Sequence, residues 1–367
     1  MIGPKAVIHL DRLIKNYDLI RKKLRRSHLM VVVKANAYGH GSVECAKALE
    51  KHGCKSFAVF SISEGIELRD AGINADILIF SKINISHLEL AIKYNLILNV
   101  SNLGDLDTLK MYIKKSGESP RFHIKFDTGM TRLGLNIHEV DKAFEVLRQS
   151  NELNYEGLYS HFATADEGDL SFAYEQVNKF KEILRKASSY KLNFKCIHFS
   201  NSGAVLNLNQ DDFNLIRVGM LVYGAYPSSE VPKDLRVLPV MEFKAPIVDV
   251  RRVNKGTHIS YGGVYKTDKE SNIGVVQCGF ADGLPRSWYK NGFVGYKGKN
   301  YKIAGRICMD QFMVNFEDDF PDEGDEVLIF GSNNFNSISM ENIAKAIDST
   351  PYVIATGIKG RTELLFS

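Results

Sequence analysis

The sequence predicts an α/β fold: an N-terminal (β/α)8 barrel over residues 9–228, followed by a mostly β C-terminal domain over residues 229–367. Three observations carry this. The first two thirds alternate strictly between short β-rich apolar runs and longer amphipathic stretches, the pattern of a parallel sheet covered by helices. There are eight such units, the number that closes a barrel. After Pro227-Ser228-Ser229-Glu230-Val231-Pro232 the texture changes to short alternating strands with frequent glycine. A chain of 367 residues also exceeds the roughly 250–300 at which single cores stop growing, so two domains are favoured by length alone.

Taken in order, barrel strands are expected at residues 30–33, 57–60, 77–80, 97–100, 122–126, 157–160, 196–199 and 215–218. Helices are expected at 43–51, 64–71, 87–94, 105–115, 140–148 and 173–186, with Gly53 and Gly72 as residues just past two helix ends. An open doubly wound sheet is the rival architecture, but no complete G-x-G-x-x-G follows the first strand. In the second domain strands are expected at 241–245, 247–253, 273–278, 294–297 and 327–330, with one late helix near 338–347. Residues 1–8 are expected to pack with that domain.

Composition narrows the function classes. Hydrophobic residues at 44% and charged residues at 25% are the ordinary mix of a globular protein. A net charge of +4 leaves no basic block for nucleic acid, and the cluster Arg21-Lys22-Lys23-Leu24-Arg25-Arg26 reads as a solvated helix end. No apolar run approaches membrane-spanning length, and Met1 to His9 lacks the apolar core of a secretion signal. Five cysteines without a C-x-x-C pair fit reduced thiols in the cytoplasm, with neither a disulfide frame nor a metal site.

The polar residues at the ends of the expected strands are the informative ones. Strand one runs into Lys34 and Tyr38; strand five into Lys125, Asp127 and Arg132; strand six into His161. Strand seven runs into Asn201, Ser202 and Gly203, and strand eight into Arg217, Gly219 and Met220. In a barrel all these ends converge on the face that carries the active site. Lys34 taken alone fits either a structural ion pair or a desolvated nucleophilic amine. Pyridoxal 5′-phosphate (PLP) is the common partner of such an amine and needs a phosphate site and a group facing its ring nitrogen. The loops around Ser202 and Gly219 offer a hydroxyl and flexible backbone donors, although both residues could equally just shape turns.

At these residues the chain resembles the alanine racemase family. The motifs are Val32-Val33-Lys34-Ala35-Asn36-Ala37-Tyr38-Gly39-His40-Gly41, Asp127-Thr128-Gly129-Met130-Thr131-Arg132-Leu133-Gly134, Ser160-His161-Phe162-Ala163-Thr164-Ala165-Asp166 and Arg217-Val218-Gly219. The second domain adds Ser260-Tyr261-Gly262, Gly279-Phe280-Ala281-Asp282-Gly283 and Gly305-Arg306-Ile307-Cys308-Met309-Asp310-Gln311. The resemblance implies racemisation of L- and D-alanine with PLP, for cell-wall D-alanine, by a cytoplasmic head-to-tail homodimer. It implies Lys34 as the Schiff-base lysine, and Tyr38, Ser202, Gly219, Met220 and Tyr352 around the phosphate. Arg217 would face the pyridine nitrogen with His161 bonded to it, and Arg132 and the Met309 backbone, supported by Asp310, would bind substrate. Tyr261 would be the second base, lent by the partner subunit, and Lys125 a lysine that is often carbamylated.

Chemistry agrees with these roles. Inverting a stereocentre needs a base on each face of Cα, and Lys34 and Tyr261 supply two. A free tyrosine titrates near pH 10, so nearby positive charge would bring Tyr261 into working range. An arginine at the ring nitrogen cannot hand over a proton, which weakens the electron sink and suppresses side reactions. A carbamate on Lys125 would reverse its charge and hold Arg132. The chain departs from the family pattern at Thr131, at Leu284 and in the tail Gly357-Ile358-Lys359-Gly360-Arg361. The rival readings are a serine or broad-spectrum racemase, a non-catalytic PLP-binding homeostasis protein, and a barrel-type decarboxylase.

Overall fold

A computed structural model describes residues 3–24, 27–208 and 213–367. Strand β1 (Lys5–Ile8) and the helix Leu10–Lys23 precede eight parallel strands that close on themselves. These are β2 (His28–Val32), β3 (Ser56–Val59), β4 (Asp76–Lys82), β5 (Ile97–Val100), β6 (Phe122–Lys125), β7 (Tyr155–Tyr159), β8 (Cys196–His198) and β9 (Leu215–Val218). Closure comes from β9 pairing back onto β2, with Met30 opposite Arg217. The basic residues Arg21, Lys22 and Lys23 form the last turn of the first helix, where cations complement the helix dipole; Arg25 and Arg26 lie outside the described residues.

Local chemistry explains the helix boundaries. The Gly53 N–H donates to Glu50 O and Cys54 N–H to Leu49 O, closing the helix Ser42–Lys51 with a left-handed glycine at φ 104°. The same pair of bonds, through Gly72 and Ile73, ends the helix Ile62–Asp70. That helix starts with a reciprocal cap between Ser61 and Glu64.

The β domain is built around one long strand, β10 (Met241–Val253). The sequence suggests two strands here, divided at Pro246. Instead the strand runs through the proline, shifting register at bulges on either side, and serves two sets of partners. The remaining strands are β11 (His258–Ile259), β12 (Tyr265–Lys266), β13 (Ser271–Val276), β14 (Phe293–Tyr296), β15 (Lys299–Lys302), β16 (Phe312–Glu317), β17 (Glu326–Ser332), β18 (Ser337–Ile338) and β19 (Glu363–Phe366). The main sheet has the order β15-β14-β17-β10-β1-β19, while β13 joins β10 to β16. Strand β1 lies between β10, antiparallel, and β19, parallel. The helices Met340–Ala346 and Pro351–Gly357 follow; the second packs so closely on the barrel that a Cβ at Gly39 would stand 2.4 Å from Ala355 O. No helix among the described residues is long and apolar enough to cross a membrane.

Asn16 fastens the first helix to the segment between barrel and β domain. Fully buried, it donates to Val222 O (3.1 Å) and Leu238 O (2.8 Å) and accepts from Leu238 N–H (2.7 Å). Asn16→Ala strands one buried donor and two acceptors, so it is expected to lower unfolding free energy by at least ~1–3 kcal/mol. Urea unfolding of the two proteins checks this, and an unchanged midpoint would show that the linker is held elsewhere.

Candidate active site

The C-terminal mouth of the barrel encloses a cavity of about 420 Å³. Its walls include Lys34, Tyr38, Lys125, Arg132, His161, Asn201, Ser202, Arg217, Gly219 and Tyr352, so these expected site residues are brought together. Met220 is fully buried and does not line the cavity. Tyr261, Met309 and Asp310 lie elsewhere, on a separate open cavity of about 600 Å³ in the β domain.

Positive charge dominates the mouth. Burial and the neighbouring Arg132 lower the pKa of Lys34, while Glu64 opposes the shift. Lys125 is 6% exposed, and burial together with Arg132 and Arg217 brings it down to about 8. Its ammonium lies 5.8 Å from the centre of the Tyr159 ring. The neutral amine is therefore more accessible to Lys125 near physiological pH than to an ordinary lysine.

Arg217 is buried and stays protonated, although burial lowers it to about 10. Its guanidinium donates to Ser160 O (2.8 Å), Phe199 O (3.1 Å), His198 Nδ1 (2.7 Å) and His161 Nδ1 (3.1 Å). A guanidinium has no acceptor, so both imidazole Nδ1 atoms must accept. The His198 proton is then on Nε2, which donates to His123 Nδ1 at 2.8 Å. His123 in turn carries its proton on Nε2, which is buried without a protein partner. Gly157 makes room for this ring, since a Cβ there would lie 2.5 Å from His123 Cγ. Tyr159 stacks on His198 at 4.5 Å and donates to Asn99 Oδ1 at 2.7 Å. A directional polar layer therefore replaces the usual aliphatic filling of a barrel interior.

The opposite wall carries hydroxyls. Tyr38 sits between Tyr223 and Tyr352, with ring centroids 5.4 and 5.7 Å away. Its hydroxyl reaches Gly219 so closely that a Cβ there would be 2.7 Å from Tyr38 Oη. Ser202 Oγ accepts from the Gly219 N–H at 3.1 Å. On the rim, Asp127 Oδ1 accepts from the N–H groups of Gly129 and Thr131, at 2.9 and 3.0 Å. Thr131 has φ 54°, a left-handed conformation costly for a β-branched residue, and Arg132 projects from the turn it makes.

The second cavity has its own strained backbone. Ser260, at φ 63° and ψ −179°, occupies a region almost reserved for glycine. Its Oγ donates to Arg306 O at 2.7 Å, which fixes the turn that presents Tyr261 at 67% exposure. Arg361 donates to both oxygens of the buried Asp282 at 2.9 Å and to Asp310 at 2.8 Å, steadying the loop that carries Met309.

Sequence reasoning missed Phe60, Phe80, Met130, Tyr159 and Asp166 in the cavity wall, and His123 and His198 behind it. A signal existed for several of them. Side chains on one face of a strand recur every second residue, so stepping back two from Lys125 gives His123, and from His161 gives Tyr159. Phe60 and Phe80 carry no comparable signal.

The chain matches the family described as alanine racemase, N-terminal domain, over residues 8–227, and alanine racemase, C-terminal domain, over residues 240–366. It is 36% identical to an alanine racemase of Carboxydothermus hydrogenoformans over 363 residues, covering 98% of each chain. It is also 36% identical to alanine racemase 1 of Bacillus subtilis over 367 residues, covering 98% of this chain and 92% of that one. Among solved structures it resembles the alanine racemase of D-cycloserine-producing Streptomyces lavendulae, with TM-score 0.95 at 33% identity, covering 100% of this chain and 97% of that one.

Burial holds His123 and His40 down to about 4 and His198 well below its ordinary value, so the fold keeps all three neutral. An unfolded histidine titrates near ~6.5. As pH falls from there, the unfolded chain gains protons that the fold refuses, and stability is lost at up to ~1.4 kcal/mol per pH unit for each such group. Stability should therefore be full above about pH 6.5 and decline toward about 4. His123→Asn is expected to reduce the slope of unfolding free energy against pH in that window; an unchanged slope would mean that His123 is not held neutral.

Proposed function

The chain belongs to the alanine racemase family, and on that premise we propose that it interconverts L- and D-alanine using PLP held on Lys34. The observation that carries this reading is the convergence, in one cavity, of a lysine with a lowered pKa, a buried arginine and a wall of hydroxyls. The donor set fits the cofactor. Tyr38, Ser202 and Tyr352 would bind its phosphate, with Asn201 and Met220 supporting that wall, and Gly219 leaves the space that a Cβ would fill. PLP, when bound to an amino acid, supplies the electron sink that makes the Cα proton removable.

The protein's own groups do the rest. Arg217, held as a donor by four acceptors, would present a positive charge to the ring nitrogen without transferring a proton to it. His161 sits beside it and braces it. Arg132, at the rim, would take the substrate carboxylate in a charge-assisted pair. Lys34 serves one face of Cα as base or acid. The other face needs Tyr261, which in this chain opens onto a different cavity together with Met309 and Asp310. A second copy arranged head to tail would bring Tyr261 and the Met309 backbone to the mouth, each chain lending what it receives. Such a site would close out water and limit the substrate to a small side chain.

Lys125 fits the same scheme. A buried amine beside two guanidinium groups is repelled while it is an ammonium. As a neutral amine it can add carbon dioxide and release a proton, and the resulting carbamate would attract Arg132. The physiological role that accompanies this reading is supply of D-alanine for peptidoglycan, in the cytoplasm.

Borohydride treatment of the purified protein should fix a single cofactor label on the peptide containing Lys34, and a chiral assay should show alanine racemising faster than serine or lysine. Tyr261→Ala should lose ~10²–10⁴-fold in activity. Mixing it with Lys34→Ala protein should restore part of that activity, because the mixed dimer holds one doubly damaged and one intact site. If mass measurements confirm subunit exchange while activity stays absent, Tyr261 does not complete a neighbour's site.

A further inference from the structure

The segment after β2 holds a conformation that its residues do not favour. Ala35, Asn36, Ala37 and Tyr38 have φ between 51° and 53° and ψ between 42° and 51°, making one turn of left-handed helix without a glycine. For L-residues with a side chain this hand brings Cβ close to the following carbonyl oxygen and is disfavoured against the right-handed form. Residues four apart share a face of the turn, so Lys34 and Tyr38 both line the cavity while Ala35 and Asn36 are exposed. Unwinding the turn would separate the two groups that would hold the cofactor's aldehyde carbon and its phosphate.

Two side chains from outside the turn hold it. At its start Glu64 Oε1 accepts from Ala35 N–H at 2.8 Å, while Oε2 accepts from Phe60 and Ser61 N–H at 2.8 and 3.0 Å. At its end the His40 ring is fully buried, with Nδ1 3.0 Å from both Ala37 O and Tyr38 O. Carbonyls only accept, so Nδ1 carries the proton and shares it between the last two carbonyls of the turn. The ring stacks on Tyr223 at 4.7 Å and 27°, and the Tyr223 hydroxyl donates to Val32 O at 2.9 Å. His40 is thus tied through Tyr223 to the strand that leads into Lys34. Its Nε2 is buried and makes no protein hydrogen bond, so the donating Nδ1 edge is the one the fold uses.

We propose that His40 is a positioning residue: its Nδ1–H clamps the left-handed turn 35–38 so that Lys34 and Tyr38 face the cavity together. The clamp itself follows from the geometry; its value to the cofactor rests on the reading of Lys34 given above.

Asparagine places an amide N–H where the histidine has Nδ1, whereas glutamine places one near Nε2. Full-length His40→Asn, His40→Gln and His40→Ala would be compared by hydrogen exchange of the peptide covering residues 33–42 and by PLP titration of cofactor-depleted protein. His40→Asn should stay within about threefold of the parent in both measurements, as expected when the hydrogen bonds are kept. His40→Gln should exchange this peptide faster and bind PLP about tenfold more weakly, with the other barrel peptides unchanged; His40→Ala should do the same if it folds. Equal behaviour of the asparagine and glutamine variants, or parent-like exchange in both, would overturn the clamp. The exchange arm stands whatever the cofactor does. Failure of borohydride to label Lys34 in the parent protein would instead sink the functional reading.

Discussion

A buried guanidinium can only donate, and the barrel mouth is organised around that constraint. Arg217 needs acceptors on every side, and it finds two carbonyls and two imidazoles. Its demand sets the tautomer of His161 and of His198, and through His198 that of His123. The stacked Tyr159 and the missing side chain at Gly157 are the packing terms of the same arrangement. One cation, unable to reverse its role, therefore fixes proton positions deep into the barrel. The charge it keeps also depresses Lys125.

Backbone strain gathers at the segments that carry chemistry. The turn 35–38 lies between Lys34 and Tyr38, Thr131 precedes Arg132, and Ser260 precedes Tyr261. Among the described residues the other non-glycine positions with positive φ are Asn95, Lys191, Lys297, Glu317 and Asp348. Three of them follow helix ends and Lys297 makes a hairpin turn, places where that conformation is routine. At the three functional segments the strain is held by side chains from outside the turn (His40 and Glu64), by an adjacent carboxylate (Asp127), or by the strained residue's own hydroxyl, Ser260 on Arg306 O. Strain of this kind persists only where the surroundings over-determine it.

The barrel was legible because its periodicity is local. Strands at Ile97–Val100 and Leu215–Val218 coincide with the residues expected, and most others differ by one or two. The β domain was less so. Pro246 suggested a break where bulges let one strand continue, and the seven-residue helix Pro351–Gly357, which carries Tyr352, is too short to show a period. In the site, strand ends pointed to the rim, while His123 and His198 lay one alternation further in. The left-handed turn could not be read at all. Ala-Asn-Ala-Tyr favours the opposite hand, and hydrogen bonds made in the folded chain, from Glu64 and His40 and between the Ser42 N–H and Asn36 Oδ1, hold it against that preference.

Strand β1 has a position in the sheet that matters during synthesis. It precedes the whole barrel in the chain, yet its two neighbours, β10 and β19, follow it, and Lys5 pairs with Glu363. A nascent chain can close β2 to β9 while β1 waits with both edges open. Pairing β1 closes a long loop onto β10 and a longer one onto β19, and closure entropy makes such non-local pairing the slower part of sheet formation. Until β19 pairs, β1 keeps one unpaired edge on which another chain could add a strand.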